Sequence, residues 1–176
     1  DIPVLMYHRV ITNEDEKGVY DTYVTKENFE KQMKYIKENG YETINFYDIK
    51  NGEFKRRFDE NKKYVIITFD DGYRDNLINV LPILKKFNLK VVLFFITDIL
   101  YNKWDTDVEG RPKEKKFKLM NLEEIKEFYA SGLVEIGGHT TVHLDMPTID
   151  EHILKKDLEI SKKKIEEITK KKIISF

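Results

Sequence analysis

The sequence predicts an α/β fold built on a parallel sheet, and three observations carry that expectation. Residues 64–69 and 91–96 are short, almost unbroken apolar runs without alternation, the pattern of strands buried on both faces. Segments with apolar residues at helical spacing separate the strand candidates, as in successive βαβ units, and no internal repeat is present. Three of the strand candidates end in carboxylates or histidines, and the C-terminal ends of parallel strands are where such folds keep their sites. A chain of 176 residues is most simply one domain.

Taken in order, residues 2–8 read as a first strand with His8 at its C-terminal end, and residues 9–24 as a polar, irregular loop. Thr25 caps a helix carrying Phe29, Met33 and Ile36 on one face, and Gly40 stops it. Residues 41–46 form a weaker strand candidate, 47–50 a short helical turn, and 51–63 a charged surface connection. The central strand then runs into Asp70, Asp71 and Gly72. Neighbouring strand residues point to opposite faces, so the two carboxylates share a site only if the backbone turns, which Gly72 permits.

An Asp-Gly pair can also mark a hairpin. Leu77, Val80, Leu81, Leu84 and Phe87 follow at helical spacing instead of forming a second strand. Pro82 suits a first turn better than a helix interior, so an irregular turn and then a helix starting close to Pro82 are expected. Residues 97–120 form a long polar loop holding the only tryptophan, Trp104; loops of that length are often functional. Asn121 and Glu124 make a capping box for a helix that Gly132 ends. A short strand at 134–138 runs into His139. Thr148 and Glu151 read as a second capping box, for a helix with Leu154, Leu158, Ile165 and Ile168 on one face. Residues 173–176 read as the start of another strand, so the chain is expected to be incomplete, with an open sheet.

Charged residues make up 36% of the chain, yet they cancel to a net −1, which gives no basic excess for a nucleic-acid partner. The lysine-rich runs at 113–116, 162–164 and 170–172 read as solvated faces. The 40% hydrophobic content, with 11 Phe and 10 Tyr, is enough for a sizeable core. Cysteine is absent, excluding disulfides and thiolate chemistry. No apolar stretch is long enough to cross a bilayer, and no signal-peptide pattern stands in the sequence.

The chain has four histidines, and His139 and His143 lie four apart at a strand end, after two glycines. That spacing lets two imidazoles face one point, and a carboxylate completes a three-ligand metal site with a position left open. With Asp70 and Asp71 on another strand end, one carboxylate can bind metal while the other serves as general base for the attacking water. His8, on a third strand end, is the unassigned acid for the leaving group. His152 falls on a helix surface and is left out.

Thr68-Phe69-Asp70-Asp71-Gly72 and His139-Thr140-Thr141-Val142-His143 resemble the first two motifs of the polysaccharide deacetylases, carbohydrate esterase family 4. The opening Pro3-Val4-Leu5-Met6-Tyr7-His8 resembles the branch acting on poly-N-acetylglucosamine. The resemblance implies a distorted (β/α) barrel of one catalytic domain spanning 1–176. It also implies metal-dependent removal of acetyl groups from N-acetylglucosamine units of a cell-surface or cell-wall polysaccharide, outside the cell. Carried over by position, Asp70 is the general base and Asp71, His139 and His143 are the metal ligands. His8 is the catalytic acid, and the Tyr73 backbone N–H helps hold the oxyanion. Zn²⁺ suits the ligand set, with Co²⁺, Ni²⁺ or Fe²⁺ also fitting. The family's third motif is not present, which implies that the C-terminal part of the domain is missing. A metal-dependent phosphoesterase and a non-catalytic glycan-binding module are the alternatives. The first lacks an evident phosphate cradle, and the second has no use for Asp70 beside a metal.

Overall fold

The computed structural model describes residues 1–102, 104 and 117–176; the lysine-rich run at 113–116 and most of the loop centred on it lie outside the described residues. The first strand, β1 (Val4–Tyr7), is followed by β2 (Arg9–Ile11), β3 (Tyr23–Thr25) and α1 (Lys26–Glu38). Then come β4 (Tyr41–Thr43), α2 (Phe46–Lys50), α3 (Glu53–Arg57) and the central strand β5 (Lys63–Phe69). A π-helical turn (Asn76–Val80), α4 (Leu81–Phe87), β6 (Val91–Phe95), β7 (Tyr101–Asn102) and β8 (Phe117–Lys118) follow. The last elements are α5 (Leu122–Ala130), β9 (Val134–Gly138) and α6 (Glu151–Thr169).

A five-stranded parallel sheet runs β1-β5-β6-β9, with β4 also on β5. Strand β4 pairs the first residues of β5 (Thr43 opposite Val65), and β6 pairs its end (Thr68 opposite Val92). Six of the seven residues of β5 are buried, as a strand covered on both faces must be. Phe29, Met33 and Ile36 of α1 and Leu81 and Leu84 of α4 pack with Val65, Ile67 and Phe69 in the main core. Tyr7, Phe29 and Phe69 form an aromatic group there, with Tyr7 stacked on Phe69 at 5.4 Å. Among the described residues the sheet stays open, since β1 and β9 do not pair with each other. The tail beyond α6 passes beside β9, where the Gly138 N–H donates to the Ser175 carbonyl at 3.1 Å.

Several expectations need correction. Residues 9–24 are not simply a loop: Arg9–Ile11 is fully buried and pairs in parallel with Tyr23–Thr25. Three residues are too few to show a period in sequence, and a strand paired with a partner a dozen residues on leaves no hairpin signal. The 51–63 connection contains α3, whose Phe54 packs on Tyr64 with centroids 4.8 Å apart. The loop after β6 begins and ends on an antiparallel pair, Tyr101 opposite Lys118. Helix α6 is capped by Asp150, which accepts from the His152 and Ile153 N–H groups, not by Thr148. Pro147 draws Thr148 into a separate 3₁₀ turn, Met146–Thr148.

Candidate active site

Parallel pairing brings the C-terminal ends of β1, β5 and β9 to one edge of the sheet, and every residue singled out for chemistry stands there. His8 follows β1, Asp70 and Asp71 follow β5, and His139 follows β9. The Asp70 N–H donates to the Tyr7 carbonyl at 2.9 Å, so the ends of β1 and β5 are tied together. The His8 Nε2 lies 3.8 Å from an Asp70 carboxylate oxygen.

The chain turns sharply at Asp71. The Gly72 N–H donates to the Asp70 carbonyl at 2.9 Å, closing a three-residue turn. Asp71 itself is left-handed at φ +72° and Gly72 at φ +88°. The turn that swings the second carboxylate into the site therefore starts at the aspartate, not at the glycine alone. A γ-turn with positive φ at its centre is rare and strained. It is held from outside by the Met120 N–H on the Gly72 carbonyl, 2.9 Å. Tyr73 continues the chain with its ring buried and pairs with Leu119 in an antiparallel bridge.

Asp71 is 1% exposed, and its Oδ1 is a buried oxygen without a hydrogen-bond partner among the described residues. The Nε2 atoms of His139 and His143 approach that oxygen to 3.2 and 3.5 Å. All three ligand atoms lie within 4.8 Å of one another. Donors at the corners of a tetrahedron with bonds of ~2.0–2.1 Å stand about 3.3–3.4 Å apart, so the spacings from Asp71 fit a shared ion. Burial lowers the pKa of His143 against the pull of Asp71, which keeps its imidazole neutral and a lone pair free. An orphaned buried carboxylate oxygen and two imidazole nitrogens are a donor set for a divalent cation with a position left open.

Asp70 stands outside that triad. Burial raises its pKa, with His8 and His139 pulling the other way. It lines a groove of about 510 Å³ together with Met6, Thr68, Phe94, His139 and Leu144. The loop from His139 to His143 is fastened to its surroundings by side chains that sequence reasoning missed. Asp157 of α6 accepts from the Thr141 N–H at 3.0 Å and from the Thr141 hydroxyl. Ser161 donates to the Thr140 carbonyl at 3.3 Å. Trp104 stacks on His143. Only its place in a long loop marked it in the sequence, and nothing marked Asp157 among the charges of α6.

The sheet edge thus gathers an Asp71/His139/His143 group, with Asp70 and His8 beside it. The polysaccharide deacetylase family model matches residues 57–176, more than half of the chain, and the chain belongs to that family. Its relatives include YxkH of Bacillus subtilis, named as a candidate polysaccharide deacetylase, 30% identical over 164 residues (92% of this chain, 50% of the relative). The poly-beta-1,6-N-acetyl-D-glucosamine N-deacetylase of Staphylococcus aureus is 27% identical over 146 residues, covering 77% of this chain and 47% of the relative. The crystal structure of the Bacillus cereus polysaccharide deacetylase BC0361 superposes with a TM-score of 0.73 at 33% identity, over 98% of this chain and 49% of that one. The Streptococcus pyogenes deacetylase PplD shares the fold with a TM-score of 0.78 at 23% identity, over 98% of this chain and 71% of that one. The α/β architecture is thus that of the distorted (β/α) barrel of these enzymes. The chain spans about half the length of the curated relatives it matches. Among the described residues, no helix is long and apolar enough to cross a membrane.

Proposed function

We propose that the protein hydrolyses N-acetyl groups from N-acetylglucosamine units of a cell-surface or cell-wall polysaccharide, and so works outside the cell. In this reading Asp71, His139 and His143 hold a divalent metal ion, with Zn²⁺ the best match to one carboxylate and two imidazoles. The observation that carries the reading is the partnerless Asp71 oxygen, 3.2 and 3.5 Å from two imidazole nitrogens, with a second aspartate kept apart from it. When bound, such an ion acidifies water to a pKa of about 7 and polarises a carbonyl.

The chain's own residues do the rest. Asp70, with its proton affinity raised by burial, takes the proton from the attacking water. The Tyr73 backbone N–H donates to the oxygen on which charge develops. His8, beside Asp70, gives a proton to the departing amine as the C–N bond breaks. Acetate and a free amino sugar result. The relative's name points to a β-1,6-linked polymer as the first substrate to try.

The test measures metal content by elemental analysis and acetate release from acetylated glucosamine oligomers. Asp71→Asn and His143→Ala are expected to lose the metal. Asp70→Asn is expected to keep it while the rate drops by roughly 10²–10⁴, the usual worth of a positioned base. If Asp70→Asn loses the metal and Asp71→Asn keeps it, the two roles are exchanged. If both variants keep metal and full activity, the deacetylase reading fails.

A further inference from the structure

Trp104 lies flat on a ligand of the triad, and the reaction outlined above makes no use of it. Its indole is stacked on the His143 imidazole, ring centroids 4.2 Å apart and planes 9° from parallel. His143 needs such support, because its backbone is left-handed at φ +61°, a conformation that surrounding contacts must hold in place. Ligand imidazoles generally depend on a neighbouring group to fix the ring plane. A parallel aromatic face fixes that plane as well, since tilting the imidazole breaks contact across the whole ring.

The indole is itself placed by a chain of buried groups. The backbone N–H of Trp104 donates to Asn102 Oδ1 at 2.8 Å. Asn102 is fully buried, and its amide donates to the Tyr73 hydroxyl. Tyr73 follows directly on the turn that carries Asp71. Trp104 also packs against the cluster of Tyr73, Ile96, Phe117 and Leu119. The sequence Tyr73, Asn102, Trp104, His143 therefore connects the turn bearing one ligand to the loop bearing another, across strands far apart in the chain.

We propose that Trp104 is a positioning residue for the metal: its indole face sets the plane of His143 relative to Asp71, and Asn102 sets where the indole stands. The inference rests on the metal reading of the triad given above. Its test is a titration of the protein with Co²⁺, read in two ways. Trp104 is the only tryptophan in the chain, so an ion held by His143 lies beside the sole indole. Emission excited beyond tyrosine absorption is expected to be quenched in step with Co²⁺ binding. Affinity is then compared by competition with a chromophoric chelator for the wild type, Trp104→Phe and Trp104→Leu. Leucine fills apolar space without a flat face, and phenylalanine keeps one. Trp104→Leu is expected to bind Co²⁺ about tenfold or more weakly, as when an orienting partner of a ligand is lost, while Trp104→Phe stays near the wild type. Far-UV circular dichroism of each variant separates this from loss of the fold. Equal affinity in Trp104→Leu and the wild type, or Co²⁺ binding that leaves the emission unchanged, overturns the role of Trp104 and leaves the metal reading standing. A wild type that takes up no Co²⁺ overturns both.

Discussion

Asp71, Thr140 and His143 all hold positive φ, at +72°, +62° and +61°. Among the described residues, the other left-handed ones outside glycine, Asn88 and Lys170, cap the C-termini of α4 and α6, where that conformation is ordinary. The three at the site have no such excuse, and each costs of order 1–3 kcal/mol that the packing around them must offset. This strain brings the Asp71 carboxylate and the His143 imidazole to one point. Gly72 shows how little room the arrangement leaves: a Cβ there would stand 2.7 Å from Phe95 Cδ2, at φ +88°. Gly72→Ala is expected to lower stability by roughly 1–3 kcal/mol, the cost of overpacking a core, read from the midpoint of urea unfolding. An unchanged midpoint would mean that Phe95 gives way freely. The carboxylate pair and the histidine pair were legible in the sequence because residue type and spacing mark them out. The left-handed turn at Asp71 was not, since no side chain announces strain that its neighbours impose. Nor was the stack of Trp104 on His143, a contact made only by the fold.

At the scale of elements, the strands β1, β5, β6 and β9 and the helices α1 and α5 stand where apolar runs, caps and terminating glycines put them. The irregular turn before Pro82 is there too, as a π-helical turn. The inner face of helix α6 was legible only in part: Ile165 is buried and Ile168 packs against the main core, as the apolar spacing suggests. Periodicity looks for apolar residues, yet the buried positions are Asp157, Ser161, Ile165 and Thr169, a stripe with spacing of four and three polar members. Asp157 and Ser161 are polar because the helix holds the His139–His143 loop by hydrogen bonds as well as by packing, while the Thr169 hydroxyl donates to the Ile165 carbonyl within the helix. Asp157→Ala would leave the buried Thr141 N–H and hydroxyl without their acceptor. Bonds to a charged group contribute about 1.5–3 kcal/mol, so a loss of that order is expected in urea unfolding. A metal affinity lower by about tenfold should accompany it. A loop that keeps both its metal affinity and its stability in Asp157→Ala would show that α6 does not position the site.

The molecule as a whole is fastened behind the site by a contact between buried Arg9 and half-buried Asp75 that joins β2 to the segment after β5. Arg9 is 4% exposed, with its Nε 3.4 Å from Asp75 and its guanidinium over the Phe117 ring at 3.4 Å. The Val10 N–H donates to Asp75 at 3.2 Å, and the Asn79 amide donates to the Val10 carbonyl at 2.7 Å. Burial pushes the Asp75 carboxyl up to about 7, with Arg9 pulling it back. The ordinary value, kept in the unfolded chain, is 3.8. The folded protein therefore holds a proton that the unfolded chain releases between these values. The stability this contributes is complete below pH ~4 and is lost as pH rises through about 7, at ~1.4 kcal/mol per pH unit over the window. Glu16 and Glu124, whose pKa values are lowered, act in the opposite sense, but their contribution is already present above their unfolded values, near pH 4.5. Between pH 5 and pH 7 Asp75 thus pulls the midpoint of thermal unfolding down as pH rises, against His143, whose lowered pKa acts in the opposite sense. Asp75→Asn keeps the shape of the side chain without the titration, so this downward pull should be missing from its profile across the same window. Measuring both in the presence of a chelator keeps metal release out of the comparison. Parallel profiles for wild type and Asp75→Asn would mean that Asp75 is ionised throughout and that Arg9 outweighs burial.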